Sequence, residues 1–315
     1  MQRILVVYEN AQAVCERLAP QFEEAIFRGA ESADALRREL DSFAPEVVFS
    51  IKSPGFRGID HRAGVNHRSV KWFQVGGSGY EHLGGWDTDR VQVTNCAGVL
   101  APYLAETLTG AMIALNGHFP SYFRQQSDRV WKPHEFRPLS EQVLLIVGLG
   151  HIGGRFARNA KALGMRVLGI RRQPQEDSSV DVVGTLDDYP CMAAEADVVS
   201  IHLRANPQTR HLFDRARFAE MKAGTLLLST ARGSIVHEPS LIDALNTGHL
   251  RGAYLDVFEE EPLPATSPLW DQGNVMITPH ASDNVSDWSL KFADYFAANL
   301  KRWNQGKELR NRVQL

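Results

Sequence analysis

Three charged side chains in the second half of the chain stand at or between the ends of apolar runs: Arg232, Glu261 and His280. Arg232 follows the run 225–229 and precedes Gly233, which puts it at the carboxyl end of a predicted strand. Ligand crevices of open α/β sheets lie there. His280 follows the run 275–277 and Pro279, whose ring fixes the backbone approach. Glu261 belongs to a Pro-rich loop between the two, where Glu259 and Glu260 compete for the same role. An arginine holds a carboxylate and polarises the carbonyl beside it. A histidine delivers a proton, and a carboxylate on its other ring nitrogen favours the imidazolium. Taken singly, a strand-end arginine or histidine reads as a surface or capping residue. Taken together, the three fit the reduction of a 2-oxo acid.

Such a reduction needs a hydride source. The apolar run 143–147 leads into Gly148, Gly150 and Gly153, followed by a helical stretch at 152–163 and a further strand at 166–170. In that context Gly148 permits the tight turn, Gly150 lets the backbone approach a pyrophosphate, and Gly153 allows close helix–sheet packing. The amides that open the helix, those of His151 and Ile152, face the phosphate. An NAD-type site places an acid about twenty residues further on, at the end of the next strand. Here the strand ends in Arg171, Arg172, Gln173 and Pro174, and the first carboxylate is Glu176. Two guanidinium groups suit the 2′-phosphate of NADP(H) through charge-assisted bonds. The competing reading makes them solvated loop arginines.

These groups must be positioned by a larger frame. The chain has 315 residues, 43% hydrophobic and 23% charged, which suggests two globular domains. A net charge of −3 without a long basic run argues against nucleic acid. No apolar run approaches the roughly 18 residues of a membrane span, and the opening reads as a strand rather than a signal peptide. Cys15, Cys96 and Cys191 are far apart and odd in number, and the eleven histidines form no ligand pair. The expectation is buried thiols in a reducing, cytoplasmic compartment and no metal. Predicted strands at 4–7, 47–51, 72–75, 91–94, 143–147, 166–170, 198–201, 225–229, 252–255 and 275–277 are mostly continuous apolar runs, as strands covered on both faces require. Helical stretches at 32–40, 101–115, 152–163, 214–221 and 238–246 alternate with them, so the fold class is α/β with doubly wound parallel sheets. A domain change is placed at the start of helix 101–115. Apolar residues at Trp288, Phe292, Tyr295, Phe296 and Leu300 mark a last helix, which the pattern assigns to neither domain.

The motifs together, GLGHIG at 148–153, TARG at 230–233, LDVFEEEPLP at 255–264 and TPHA at 278–281, resemble the D-isomer-specific 2-hydroxyacid dehydrogenase family. The resemblance covers almost the whole chain. It implies an inserted Rossmann coenzyme domain at 101–282 and a flavodoxin-like substrate domain made of 1–100 and 283–315, with the reaction in the cleft between them. It implies Arg232 as the substrate-carboxylate ligand, His280 as acid/base, Glu261 as its partner and Asp256 as a nicotinamide-carboxamide contact. Leu203, Arg204, Thr230 and Ala231 join the cofactor-lining set, and Ser78 and Gly79 offer amides to the substrate carboxylate. Arg204 departs from the family, standing where proline is expected, and Ser229 stands where asparagine is common.

The double arginine and the stretch from Gln125 to Pro133 look most like the glyoxylate/hydroxypyruvate reductase branch. The implied protein is an NADP(H)-preferring reductase of small 2-oxo acids, with NAD(H) as the lesser cofactor. A homodimer through helix 101–115 and the stretch 122–131 is the family expectation. Lys52 and Arg57 lie where a substrate side chain would be met, and read either as selectors of a second acidic group or as solvated loop charges. A different class, the dinucleotide-sensing corepressors, shares these motifs and is the alternative.

Overall fold

Continuous apolar runs become parallel strands here, and the helices between them return the chain to the same sheet edge. The computed structural model describes residues 1–173 and 175–313; Pro174, which closes the double-arginine run, lies outside the described residues. The chain divides into two units, Met1–Leu100 with Val285–Leu315, and Ala101–Asn284.

The first unit holds β1 (Gln2–Val7), α1 (Ala11–Leu18), β2 (Ala25–Ala30), α2 (Ala33–Phe43), β3 (Val47–Ile51), α3 (Gly58–Asn66), β4 (Trp72–Gly76) and β5 (Gln92–Asn95). Its parallel sheet has the order β2-β1-β3-β4-β5, a flavodoxin-like arrangement. Every residue of β3 and β4 is buried, which explains why neither strand alternates in polarity. Helix α2 starts where the Ser32 hydroxyl accepts the Ala35 amide, buries Leu36, Leu40 and Phe43, and stops at Ala44 with φ 47°.

The last helix of the chain, Trp288–Asn304, belongs to this unit. Its Phe296 stacks on Phe49 at 4.7 Å and on Trp72 at 5.1 Å, and Asn299 donates to the Gln74 side chain at 3.2 Å. Phe292, Phe296 and Leu300, four residues apart, form the buried stripe.

The second unit opens with α4 (Ala101–Asn116) and α5 (Phe119–Asp128). It continues with β6 (Val143–Val147), α6 (His151–Ala162), β7 (Arg166–Ile170), β8 (Val182–Gly184), α7 (Tyr189–Glu195), β9 (Val198–Ile201) and α8 (Arg215–Ala219). It closes with β10 (Thr225–Ser229), α9 (Glu238–Asn246), β11 (Leu250–Leu255) and β12 (Val275–Ile277), so the last helix described above is α10. The parallel sheet runs β12-β11-β10-β9-β6-β7-β8. Order reverses between β6 and β9, and in a doubly wound sheet that reversal opens the ligand crevice at the strands' carboxyl ends. Two apolar layers cover the sheet faces: Phe156, Ala157 and Ala160 of α6 pack with Leu108 and Met112 of α4 on one side, and Tyr189, Phe213 and Phe218 on the other.

Several elements differ from the sequence expectation. β2 contains Arg28 and Gly29 at a sheet edge, and β8 is three residues long, so neither produced an apolar run. The helical stretch expected at 214–221 shrinks to α8, because Asp214 caps it from outside through the amides of Ala216 and Arg217. Among the described residues, no helix is long and apolar enough to cross a membrane, and no group of three or more His, Cys, Asp or Glu side chains is arranged to hold a metal.

Candidate active site

The turn after β6 is shaped by glycine. Gly148 has φ 112°, and a Cβ there would come within 2.6 Å of the His202 carbonyl. A Cβ on Gly153 would overlap the Gly148 carbonyl, so the helix could not start so close to the strand. Around Gly150 nothing lies within 4 Å of a Cβ position, and this open space sits directly over the N-terminus of α6. The first helical bond runs from Gly154 to the Gly150 carbonyl at 2.9 Å, so the amides of His151, Ile152 and Gly153 precede it without intrahelical acceptors. Beside them, at the ends of β9 and β10, His202 Nδ1, Ser229 Oγ and Thr230 Oγ1 are buried without partners. Open room over a glycine, a helix N-terminus and orphaned hydroxyls fit a dinucleotide pyrophosphate and its attached riboses. Leu203 packs against the core, while Arg204 is exposed.

At the end of β7 the Arg171 amide is tied to the Gly184 carbonyl at 3.0 Å. Its guanidinium lies 3.8 Å from Asp177, an acid that the sequence reading did not weigh. Asp177 accepts from the Ser179 hydroxyl at 2.6 Å and the Ser179 amide at 3.0 Å. Those bonds, with help from Arg171 and Arg158, hold its carboxyl below the usual aspartate range. Arg172 is exposed.

Beyond the end of β10, Arg232 has its guanidinium donating to the Ala231 carbonyl at 2.6 Å. The next residue, Gly233, is pressed against the Phe258–Glu259 backbone so closely that a Cβ would overlap the Phe258 carbonyl. Glu261 closes that loop: its Oε1 accepts the Phe258 amide at 3.0 Å and its Oε2 meets His280 Nδ1 at 2.8 Å. Burial alone would raise the Glu261 pKa, but the His280 bond and the Phe258 amide outweigh it and bring it down. Glu259 turns elsewhere, to His211 at 2.9 Å. Glu261 is therefore the carboxylate on His280, and the ring's Nε2 is the nitrogen that Glu261 leaves disengaged.

His280 itself has φ 50°, a left-handed backbone that a non-glycine residue adopts only where its surroundings impose it. Asp256 imposes it. Its buried carboxylate accepts from Thr278 Oγ1, the Ala281 amide (2.9 Å), the Ser282 amide (3.1 Å) and Ser282 Oγ, while its carbonyl accepts the His280 amide at 2.9 Å. The resemblance implies that Asp256 contacts the nicotinamide carboxamide, but its bonds here hold the 278–282 turn that aims His280. Asp283 is a further residue that the sequence reading missed. Burial and the neighbouring Asp256 raise its pKa, against the opposing pull of His280 and Arg232. No motif marks it. Ser78 and Gly79, in the first unit, follow β4; Ser78 is exposed and its carbonyl accepts from Asn95 at 2.8 Å.

Residues 109–282 match the NAD-binding domain of the D-isomer specific 2-hydroxyacid dehydrogenases. A glyoxylate reductase of Korarchaeum cryptofilum is 31% identical over 297 residues, spanning 92% of this chain and 85% of that protein. The chain belongs to the D-isomer specific 2-hydroxyacid dehydrogenase family. Members of the family are NAD(P)-dependent oxidoreductases acting on the CH–OH group of 2-hydroxy acids. A family protein from Aeromonas salmonicida superposes with a TM-score of 0.85 at 32% identity, covering 99% of both chains. A D-isomer specific 2-hydroxyacid dehydrogenase from Xanthobacter autotrophicus Py2, crystallised with NADPH and MES, superposes at 0.84 with 26% identity, covering 100% of this chain and 98% of that one. The family also includes longer relatives: the D-3-phosphoglycerate dehydrogenases that match this chain do so over 38–43% of their own length. Within this 2-hydroxyacid dehydrogenase, the glycine turn, the Arg232 strand end and the Glu261–His280 pair all lie in Ala101–Asn284.

Proposed function

We propose that this family member reduces small 2-oxo acids of the glyoxylate or hydroxypyruvate type to the corresponding 2-hydroxy acids, the D-isomer where C2 is a stereocentre, with NADPH preferred over NADH. The observation that carries the reading is the Glu261–His280 contact of 2.8 Å on a turn clamped by Asp256. When bound, a reduced nicotinamide supplies the hydride that ends on the carbonyl carbon. The chain's own residues do the rest. Arg232 binds the substrate carboxylate and draws electron density toward the adjacent oxygen. Glu261 stabilises the His280 imidazolium and fixes its Nδ1 proton, so Nε2–H is the proton delivered to the forming alkoxide. Asp256 acts by holding the His280 turn.

The cofactor is held by the amides of His151, Ile152 and Gly153, with Gly148 and Gly150 giving room and Leu203, Thr230 and Ala231 lining the crevice. Arg171 and Arg172, with Arg204 as a further cation, favour a 2′-phosphate, and the NADPH-bound relative from Xanthobacter supports that preference. Asp177 opposes it by occupying Arg171. The α5 helix has no buried residue, and Phe123, Trp131 and Phe136 are exposed; this apolar surface supports a homodimer through α4, α5 and the segment after them. Cytoplasmic placement is part of the same reading, supported by three free cysteines among the described residues.

The test is a steady-state screen of 2-oxo acids with both reduced cofactors. Turnover of glyoxylate or hydroxypyruvate with a higher kcat/KM for NADPH supports the proposal. Cofactor binding without turnover of any 2-oxo acid favours the dinucleotide-sensing alternative.

A further inference from the structure

Three segments converge behind the chemistry-bearing groups: the bend at 211–213, the turn 232–240 and the loop 256–261. The first two are paired by backbone bonds, His211 N to Ser234 O at 2.8 Å, Phe213 N to Ile235 O at 3.1 Å and His237 N to Phe213 O at 3.0 Å. The second and third are paired reciprocally: the Glu238 amide donates to the Glu259 carboxylate at 3.0 Å, and the Glu259 amide donates to the Glu238 carboxylate at 2.5 Å. His211 closes the ring on Glu259 Oε2 at 2.9 Å and lies edge-on to His237 at 5.0 Å, whose Nδ1 is held by Ser240 at 2.7 Å. Gly233 seals the junction against Phe258 and Glu259.

Arg232 and Glu261 therefore hang from the two sides of one joint. Glu261 sits two residues beyond Glu259, and its own anchor is the amide of Phe258, the residue just before Glu259. A surface loop of three successive glutamates would otherwise repel itself open and leave Glu261 free to rotate away from His280.

We propose that His211, Glu259 and Glu238 form a latch that positions Glu261, and through it the His280 imidazole. The inference rests on the reading of His280 as proton donor. The charged groups that bear on this network are Arg232, Asp256 and Asp283 on the His280 side, and His237, Glu238 and Glu260 around Glu259. Burial and the neighbouring Glu259 and Glu260 raise the Glu238 pKa, whereas the Glu238 amide-side pairing and His211 overcome burial and keep Glu259 low. An ionised Glu259 is what His211 and the Glu238 amide are arranged to hold.

The experiment measures kcat and KM for glyoxylate and hydroxypyruvate with NADPH, from acid to alkaline pH, for the wild type, Glu259→Ala, Glu259→Gln, His211→Ala and His280→Ala. Reduction requires a protonated His280, so activity falls on the alkaline side. With the latch opened, the imidazolium loses support. Glu259→Ala and His211→Ala should then lower kcat about tenfold with little change in KM, and move the alkaline limb down by about half a pH unit or more. Glu259→Gln retains an acceptor for the Glu238 amide but not the charge that His211 meets, and should restore the limb in part. If Glu259→Ala does not fold, His211→Ala decides. An alkaline limb that stays in place in the folded variants overturns the latch. A His280→Ala variant as active as wild type overturns the underlying reading instead.

Discussion

Glu261 and His280, nineteen residues apart in sequence, meet through Oε2 and Nδ1 at 2.8 Å, while the other Glu261 oxygen is engaged by the Phe258 amide. One carboxylate thus both orients the imidazole and ties it to its own loop. Replacing Glu261 with Gln keeps the shape and removes the charge, so kcat should fall and the alkaline limb of the reduction should move to lower pH. The same pair contributes to stability with a defined sign. The Glu261 pKa is depressed in the folded state, so its contribution is present above the unfolded value near 4.5 and is lost as pH falls through the folded one. Thermal melts of wild type and Glu261→Gln should therefore separate at neutral pH and converge as the pH falls well below 4.5. Parallel curves across that range would contradict it.

Asp256 is buried and satisfies donors at Thr278, Ala281 and Ser282. Truncation to Ala leaves those groups buried without partners, at about 1–3 kcal/mol each before relaxation. Asp256→Ala should lower the melting temperature by several degrees and abolish turnover. Asp256→Asn, which keeps an acceptor, should fold better and still lose most activity as the His280 turn loosens. An Asp256→Ala variant with wild-type stability would refute the clamp.

Two neighbouring glycines should behave oppositely on substitution by Ala. Gly153 has no room for a methyl against the Gly148 carbonyl, whereas Gly150 has open space and a φ of −101° that Ala tolerates. Gly153→Ala should destabilise the fold. Gly150→Ala should leave the melting temperature unchanged and raise the cofactor KM about tenfold or more, a penalty of about 1.4 kcal/mol. Equal cofactor KM values in wild type and Gly150→Ala would remove the pyrophosphate from that position.

Asp177 competes with a 2′-phosphate for Arg171. Neutralising it as Asp177→Asn should lower the KM for NADPH about threefold to fivefold, within the roughly 1 kcal/mol expected of a partly exposed pair, and leave the KM for NADH unchanged. Arg171→Ala should do the reverse. Equal effects on both cofactors would show that Arg171 does not read the phosphate.

Strands that are covered on both faces were legible as unbroken apolar runs: β3, β6, β7, β9 and β10 fall where those runs lie, as does the edge strand β12. The edge strands β2 and β8 were not, because a single covered flank tolerates Arg28 in β2 and three residues suffice for β8. Helix α1, with few apolar residues beyond Val14 and Leu18, gave too weak a stripe. The glycine turn was legible because only glycine fits such a turn. Three adjacent glutamates, however, are chemically alike, and the directions that Glu259 and Glu261 take depend on contacts with Glu238, His211 and His280 that are remote in sequence. The clamp made by Asp256, the acid at Asp177 and the electrostatic proximity of Asp283 to His280 and Arg232 are likewise properties of the folded backbone.

The most direct test of the central claim follows NADPH oxidation by glyoxylate or hydroxypyruvate with His280→Ala beside the wild type, with cofactor binding measured separately. The proton-donor role predicts that NADPH still binds while kcat drops by roughly 10²–10⁴, the usual contribution of a positioned acid. Turnover within a few-fold of wild type at saturating NADPH would contradict it.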